Sequence, residues 1–275
     1  MSTTTTNPTI DMSSPAIPFG REVRVEVRKM FDTRGGLWLF ILTGVFIVLA
    51  MALTLLVLGL NDDVTITAGG FAEVMAIPVS LLVPVFAILI VSSEWSQRTH
   101  LTTFTLQPNR MRVMAAKFVA VTILALATIV VAVAFGALGN VIYGVITPHD
   151  VVWNVPLADL LWTIAAQLLF FWMAFALATL LLNTPAAIAV FYVVSLILPF
   201  MVYPVLMAVF DWARDLLPWL NIDYAAGMLR SGETFFGEAI DIGVVDYARF
   251  AFTVLLWVIV PGILGLLRVQ RIEVK

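Results

Sequence analysis

The sequence predicts an all-α polytopic membrane protein with six transmembrane helices and both termini in the cytoplasm. Three observations carry this. Of 275 residues, 61% are hydrophobic and only 12% charged, and mean hydropathy is +1.03. A soluble domain is about 45–50% apolar and about 25% charged. Six stretches are long enough for the roughly 20 apolar residues that cross a bilayer core. They run Leu37–Leu60, Phe71–Val91, Val113–Asn140, Leu157–Leu182, Ala186–Phe210 and Tyr247–Leu267. Finally, 12 of the 15 basic residues fall on one side of these spans, and an excess of Lys and Arg marks the cytoplasmic side.

The elements follow in order. Residues 1–20, "MSTTTTNPTIDMSSPAIPFG", form a polar Ser/Thr/Pro-rich tail expected to be disordered. It lacks a basic start and an apolar core, so no cleavable signal peptide is expected. Residues 21–36, "REVRVEVRKMFDTRGG", place Val23, Val27, Met30 and Phe31 on one helical stripe. The Val23/Val25/Val27 alternation also fits a strand. A lone strand at a membrane surface would leave its backbone unpaired, so an interfacial amphipathic helix is preferred. Gly35-Gly36 is expected to bend the chain into the first span.

The loop at 92–117 carries Arg98, Arg110, Arg112 and Lys117, and the tail at 268–275 carries Arg268, Arg271 and Lys275. With Arg21, Arg24, Arg28, Lys29 and Arg34 these make up the cytoplasmic set. "NTP" at 183–185 is a tight turn. The external loop at 211–246 is long and aromatic, and is read as short helices on or dipping into the outer face. Trp153, Trp212, Trp219 and Tyr247 sit near outer boundaries, as interfacial aromatics do.

Several function classes fall away. With no cysteine, thiol catalysis and Cys-ligated metals are excluded. His100 and His149 both fall in loops. There is no GxxxxGK[ST] phosphate loop and no HExxH, so neither ATP hydrolysis nor zinc chemistry is expected on this chain, and no cofactor. No nucleic-acid partner is expected. Between their ends the spans are read as free of ionisable groups, which disfavours proton-coupled transport. Pro78 and Pro84 in the second span and Pro199 and Pro204 in the fifth are kink candidates. They either bend those spans around a pathway or reflect the general tolerance of membrane helices for proline. Gln167 is read as a helix–helix hydrogen-bond partner.

The loop at 92–117 holds more than a topology signal. "SEWSQRTHLTTFTL" has no Gly or Pro before Pro108, so a short helix is expected from about Ser93 to Leu106. Ser93 would cap it and Glu94 would suit its positive end. Glu94 and Arg98 are spaced i, i+4. Pro108 stops the helix, and Asn109 caps the third span. Arg110, Arg112 and Lys117 are read as enforcing topology. Acidic residues contribute little to orientation, so Glu94 stays unexplained on that reading.

"SSEWSQRT", "LTTFTLQPNR" and "AAK" in this order resemble the first cytoplasmic loop of type-2 ABC-transporter permeases, the exporter-type membrane subunits. "VEVRKMFDTRGG", with Glu26, Lys29 and Arg34, resembles that family's connecting helix. "LPWLNIDYAAGMLRSG" resembles its external re-entrant segment. The resemblance covers the chain from about Arg21. It implies a plasma (inner) membrane protein that pairs with a second copy or a sister permease. Each copy would meet a separate ATP-binding subunit, two per complex, with ATP and Mg on that partner. The loop helix would be a coupling helix docked on the ATPase. Glu94, Trp95, Arg98, Thr99, Pro108 and Arg110 would be its coupling residues, with Glu94 and Arg98 touching the ATPase or the connecting helix and Trp95 anchoring it at the membrane surface. The second and fifth spans would line the pathway. The apolar, Met and aromatic spans suit a hydrophobic or amphipathic cargo such as a drug, a lipid-like molecule or a peptide. The alternatives are a six-span scaffold or immunity factor without transport, and a self-sufficient carrier or channel.

Overall fold

The computed structural model describes residues 17–61, 65–97, 99–147 and 150–272. The regular elements among them are all helical. Six helical stretches are long and apolar enough to cross a membrane: Arg34–Leu60, Ala68–Ser96, Arg110–Ile146, Leu157–Leu181, Thr184–Val209 and Val244–Arg271. The expected tail at 1–20 and His149 lie wholly or mostly outside the described residues, as does Arg98.

Helix α1 (Phe19–Asp32) precedes the first span, α2 (Arg34–Leu60). Its buried residues are Val23, Glu26 and Met30, with Val27 packed against the core. Phe31, expected on the buried stripe, is 49% exposed and stacks on Phe40. The expected bend at Gly35-Gly36 falls instead at Thr33, whose backbone is extended (φ −90, ψ 140). The Thr33 hydroxyl accepts from the Gly36 amide and caps α2. Gly36 is needed for a different reason: a Cβ there would lie 1.9 Å from the Met30 carbonyl oxygen.

The second span is broken by Pro84 into α3 (Ala68–Leu82) and α4 (Pro84–Ser96). It is the most enclosed of the six, with 61% of its apolar window buried. Phe86, Ala87, Ile88 and Val91 are nearly inaccessible. After α5 (His100–Leu106) comes α6 (Arg110–Ile146), longer at both ends than the sequence predicts. The Asn109 carboxamide accepts from the Arg112 amide and starts α6 early. At the far end Asn140 does not stop the helix. It turns inward, buried, and donates to the Val152 carbonyl at 3.2 Å.

Helix α7 (Leu157–Leu181) packs on α4 and on the last span. Between lipid-soluble helices there is little hydrophobic drive, so close approach of small residues matters. Gly136 of α6 meets the backbone of Ala72, where a Cβ would come within 2.7 Å. Gly265 of the last span meets the backbone of Thr179 and Leu180 equally closely. Gln167 donates to the Ala76 carbonyl at 3.2 Å, tying α7 to α3 as the sequence suggests.

The fifth span is α8 (Thr184–Tyr192), a π-helical stretch (Val193–Val202) and α9 (Tyr203–Val209). The sixth is α12 (Val244–Val254), a second π stretch (Leu255–Ile259) and α13 (Val260–Arg271). Here α10 (Asp211–Leu216) and α11 (Ile222–Ser231) fill the long loop between them, which is therefore not structureless. In the π stretch of span five, the i+5 partner of the Pro199 carbonyl is Pro204, which has no N–H. The Tyr224 hydroxyl of α11 takes that carbonyl at 2.5 Å. The Trp257 indole in the other π stretch donates to the Leu220 carbonyl at 2.8 Å. Both irregular stretches are thus tied to the same loop. Arg230 of α11 also pairs with Glu73 and, at 3.6 Å, with Asp159, on the ends of α3 and α7.

Candidate functional site

The end of the bundle that carries α1, α5 and the last turn of α13 holds a closed ring of four charges. Lys29 Nζ lies 2.6 Å from Glu26 Oε1. Glu26 Oε2 lies 2.8 Å from Lys117 Nζ. Lys117 Nζ lies 2.8 Å from Glu94 Oε1, and that same oxygen lies 2.9 Å from Lys29 Nζ. Two residues come from α1, one from α4 and one from α6, so the ring joins the N-terminal helix to the second and third spans.

Lys117 is the most deeply placed member, with a side chain only 3% exposed. An ammonium taken out of water needs all three of its donors used. They go to Glu26, to Glu94 and to the Ile90 carbonyl at 3.0 Å. Glu26 is also nearly inaccessible, which is why a charged residue sits on the buried stripe of an amphipathic helix. Lys29 closes the ring from the solvent side. Burial lowers its proton affinity, but Glu26 and Glu94 outweigh that, and its pKa stands above the ordinary lysine value.

This geometry corrects the expected loop. There is no single helix from Ser93 to Leu106. The second span continues to Ser96, the chain breaks, and α5 begins at His100. Ser93 therefore caps nothing; its hydroxyl bonds back to the Leu89 carbonyl. Glu94 occupies the last turn of α4, where the helix dipole disfavours a negative charge. The two lysines compensate it there. Lys117, read from sequence as a topology signal, is instead a ring member within the third span, Arg110–Ile146. One signal was available: Lys117 lies inside the apolar stretch that begins at Val113.

The other predicted residues separate into two groups. Trp95 packs inward, 6.1 Å from Phe104 of α5 and against the main core. Arg110 donates to the carbonyls of Val269, Gln270 and Ile272 at 2.9, 3.2 and 2.6 Å, closing the end of α13. Its guanidinium also lies 5.3 Å over the Phe104 ring. Thr99 and Pro108 are exposed on either side of α5. Arg34 opens α2 on the exposed surface and stands apart from the ring. Of the kink candidates, Pro78 and Pro84 are buried within this chain, as is Pro199, and Pro204 opens α9.

Contacts that sequence reasoning missed extend the ring. Glu22 of α1 accepts from Gln107 at 2.6 Å and pairs with Arg112 at 3.1 Å. The Ser92 hydroxyl bonds the Thr184 hydroxyl at 2.8 Å, tying the end of α4 to the start of the fifth span. The Tyr192 hydroxyl donates to the Leu81 carbonyl beside the Pro84 break. These partners lie many residues apart, and no spacing rule reaches them. The exposed residues here are Thr102 and Thr105 of α5, with Thr99 and Pro108 flanking it. No protein-family model and no curated protein gives a match to this chain.

Proposed function

We propose that this chain is the membrane half of an ATP-driven exporter of the type-2 ABC permease kind, working with separate ATP-binding subunits and a second copy or sister permease. The ring end faces the cytoplasm, in keeping with the basic residues gathered there. The short helix α5 is the coupling helix, and the segment at 211–246 is the external, re-entrant one. The cargo is hydrophobic or amphipathic.

The closed ring of Glu26, Lys29, Glu94 and Lys117 carries this reading. A push on α5 meets Phe104 against Trp95 and reaches α4 directly. Since the ring ties α1, α4 and α6 into one body, the push moves them together. The Ser92–Thr184 bond passes it on to the fifth span. The Pro84 break and the π stretch around Pro199 are where those spans can bend. ATP bound and hydrolysed on the partner supplies the work. This chain's own residues supply the lever and the hinges.

The test is reconstitution with an ATPase bearing a GxxxxGK[ST] loop. Thr102→Arg, on the exposed side of α5, should abolish stimulation of its hydrolysis while the permease stays folded and monodisperse. Stimulation unchanged by both Thr102→Arg and Thr105→Arg would remove α5 as the coupling surface.

A further inference from the structure

At the opposite end from the ring, a cavity of about 210 Å³ opens between α9, α10, α11 and the segment that follows. A single water needs about 10–15 Å³ measured this way, so the space is far larger than structural water requires. Met207, Met228, Tyr224, Phe235 and Phe236 line it. A tight turn holds those two phenylalanines. Thr234 donates to the Glu238 carbonyl at 2.8 Å, Ile240 donates to the Gly232 carbonyl at 2.8 Å, and Gly232 and Gly237 take the left-handed backbone (φ 67 and 80). Phe235 lies 5.0 Å from the Tyr224 ring.

Three acidic residues line this space: Asp223, partly buried, and Glu233 and Glu238, both exposed. Arg214 is the cation among the lining residues, and it is already committed. Its Nε donates to the Met207 carbonyl at 2.8 Å, and its guanidinium lies 5.3 Å over Phe236. Among the described residues the Asp223 carboxylate has no hydrogen bond and no ion pair. A partly buried carboxylate with no protein partner, in the wall of a roomy cavity, is left to solvent or to a ligand that carries the opposite charge. Aromatic faces beside carboxylates favour one ligand class, since the ring quadrupole attracts a cation and the carboxylates neutralise it. An anion is repelled, and a neutral molecule leaves the Asp223 charge uncompensated.

We infer that this cavity is a binding site for an organic cation, an ammonium on an apolar or aromatic body, held by Asp223 and the Tyr224, Phe235 and Phe236 rings. The inference does not rest on the ATP-driven reading, because binding here needs no partner subunit. Burial pushes the Asp223 carboxyl up to about 7. Arg214 from α10, Tyr224 on α11, and Glu233 and Glu238 of the turn are the other ionisable groups around the cavity. The site therefore charges as pH rises through neutrality, and cation binding strengthens with it.

The experiment uses the purified full chain in nanodiscs, without ATPase, and titrates benzyltrimethylammonium by calorimetry. Its uncharged carbon isostere, neopentylbenzene, is the comparison. The cation should bind, Asp223→Asn should weaken it about tenfold or more because the Coulomb attraction of a close charge pair is lost, and affinity should rise from about pH 6 to about pH 8. If Asp223→Asn does not fold, the Glu233→Gln/Glu238→Gln pair serves instead and should weaken the cation alone. No cation binding, equal binding of the isostere, or affinity indifferent to these variants would overturn the inference.

Discussion

Replacing Lys117 with Met removes one ammonium and leaves two carboxylates without it. Each lies 2.8 Å from that nitrogen, and their side chains are only 7% and 12% exposed. The ring then carries a net charge of −1, with Lys29 shared between Glu26 and Glu94. Breaking a buried pair by removing one partner costs about 3–5 kcal/mol, most of it from the charge left behind. The Ile90 carbonyl loses the Lys117 ammonium as a donor as well. An exposed pair on the same helix gives the contrast. Arg28 and Asp32 are 79% and 62% exposed, and such pairs are worth about 0–1 kcal/mol. Denaturant titration of the detergent-solubilised protein should therefore show Lys117→Met as strongly destabilising and Asp32→Asn as near neutral. Adding Glu26→Gln to Lys117→Met should restore more than half of the loss, because one stranded charge is gone and the Lys29–Glu94 pair persists. A Lys117→Met protein as stable as Asp32→Asn would refute the reasoning, and so would a double variant less stable than the single one.

Three further outcomes follow from the same geometry. Tyr224→Phe strands the Pro199 carbonyl and should cost about 1–3 kcal/mol, read by denaturation together with faster hydrogen exchange confined to the π stretch of span five. Gly265→Ala places a Cβ 2.7 Å from the backbone of Thr179 and Leu180, whereas Gly262→Ala meets only the Ala176 methyl at 3.7 Å. The first should lower the melting temperature as a small-to-large change at a tight crossing does, by about 1–3 kcal/mol, and the second should not. Lys29 has a folded pKa above its unfolded value, so its stabilisation is fully present below about 10.5 and lost only as pH rises through the higher folded value. The penalty of Lys29→Met should accordingly be equal at about pH 7 and about pH 9. A penalty that faded between them would contradict the placement of its ammonium against Glu26 and Glu94.

The six spans were legible because length and apolar content decide them and little else competes. The N-terminal helix was legible from its periodicity, but its buried glutamate was not, since Glu26 stands on the apolar stripe only because Lys117 of α6 reaches it. Glu94 stood out as an acid that orientation does not explain. Its expected contact with the connecting helix is present, through Lys29 of α1, whereas Lys117 of α6, read as a topology signal, is a partner the sequence did not show. The bend misassigned to Gly35-Gly36 shows the same limit. Two glycines read locally as a turn, whereas Gly36 is needed where the Met30 carbonyl approaches. The π stretches were visible only as prolines. That Pro204 frees the Pro199 carbonyl follows from a register that spacing alone does not fix, and that Tyr224 fills it follows from the fold.

The central claim is that α5, braced by the ring, is where another chain's ATP hydrolysis is felt. The most direct measurement places a photo-crosslinking amino acid at Thr102 and identifies what it captures in native membranes. The account predicts a chain carrying a GxxxxGK[ST] loop whose ATP hydrolysis rises when it is reconstituted with this protein and falls back with Lys117→Met. Cross-links to lipid or to this chain alone, or a captured ATPase indifferent to both the protein and the variant, would contradict it.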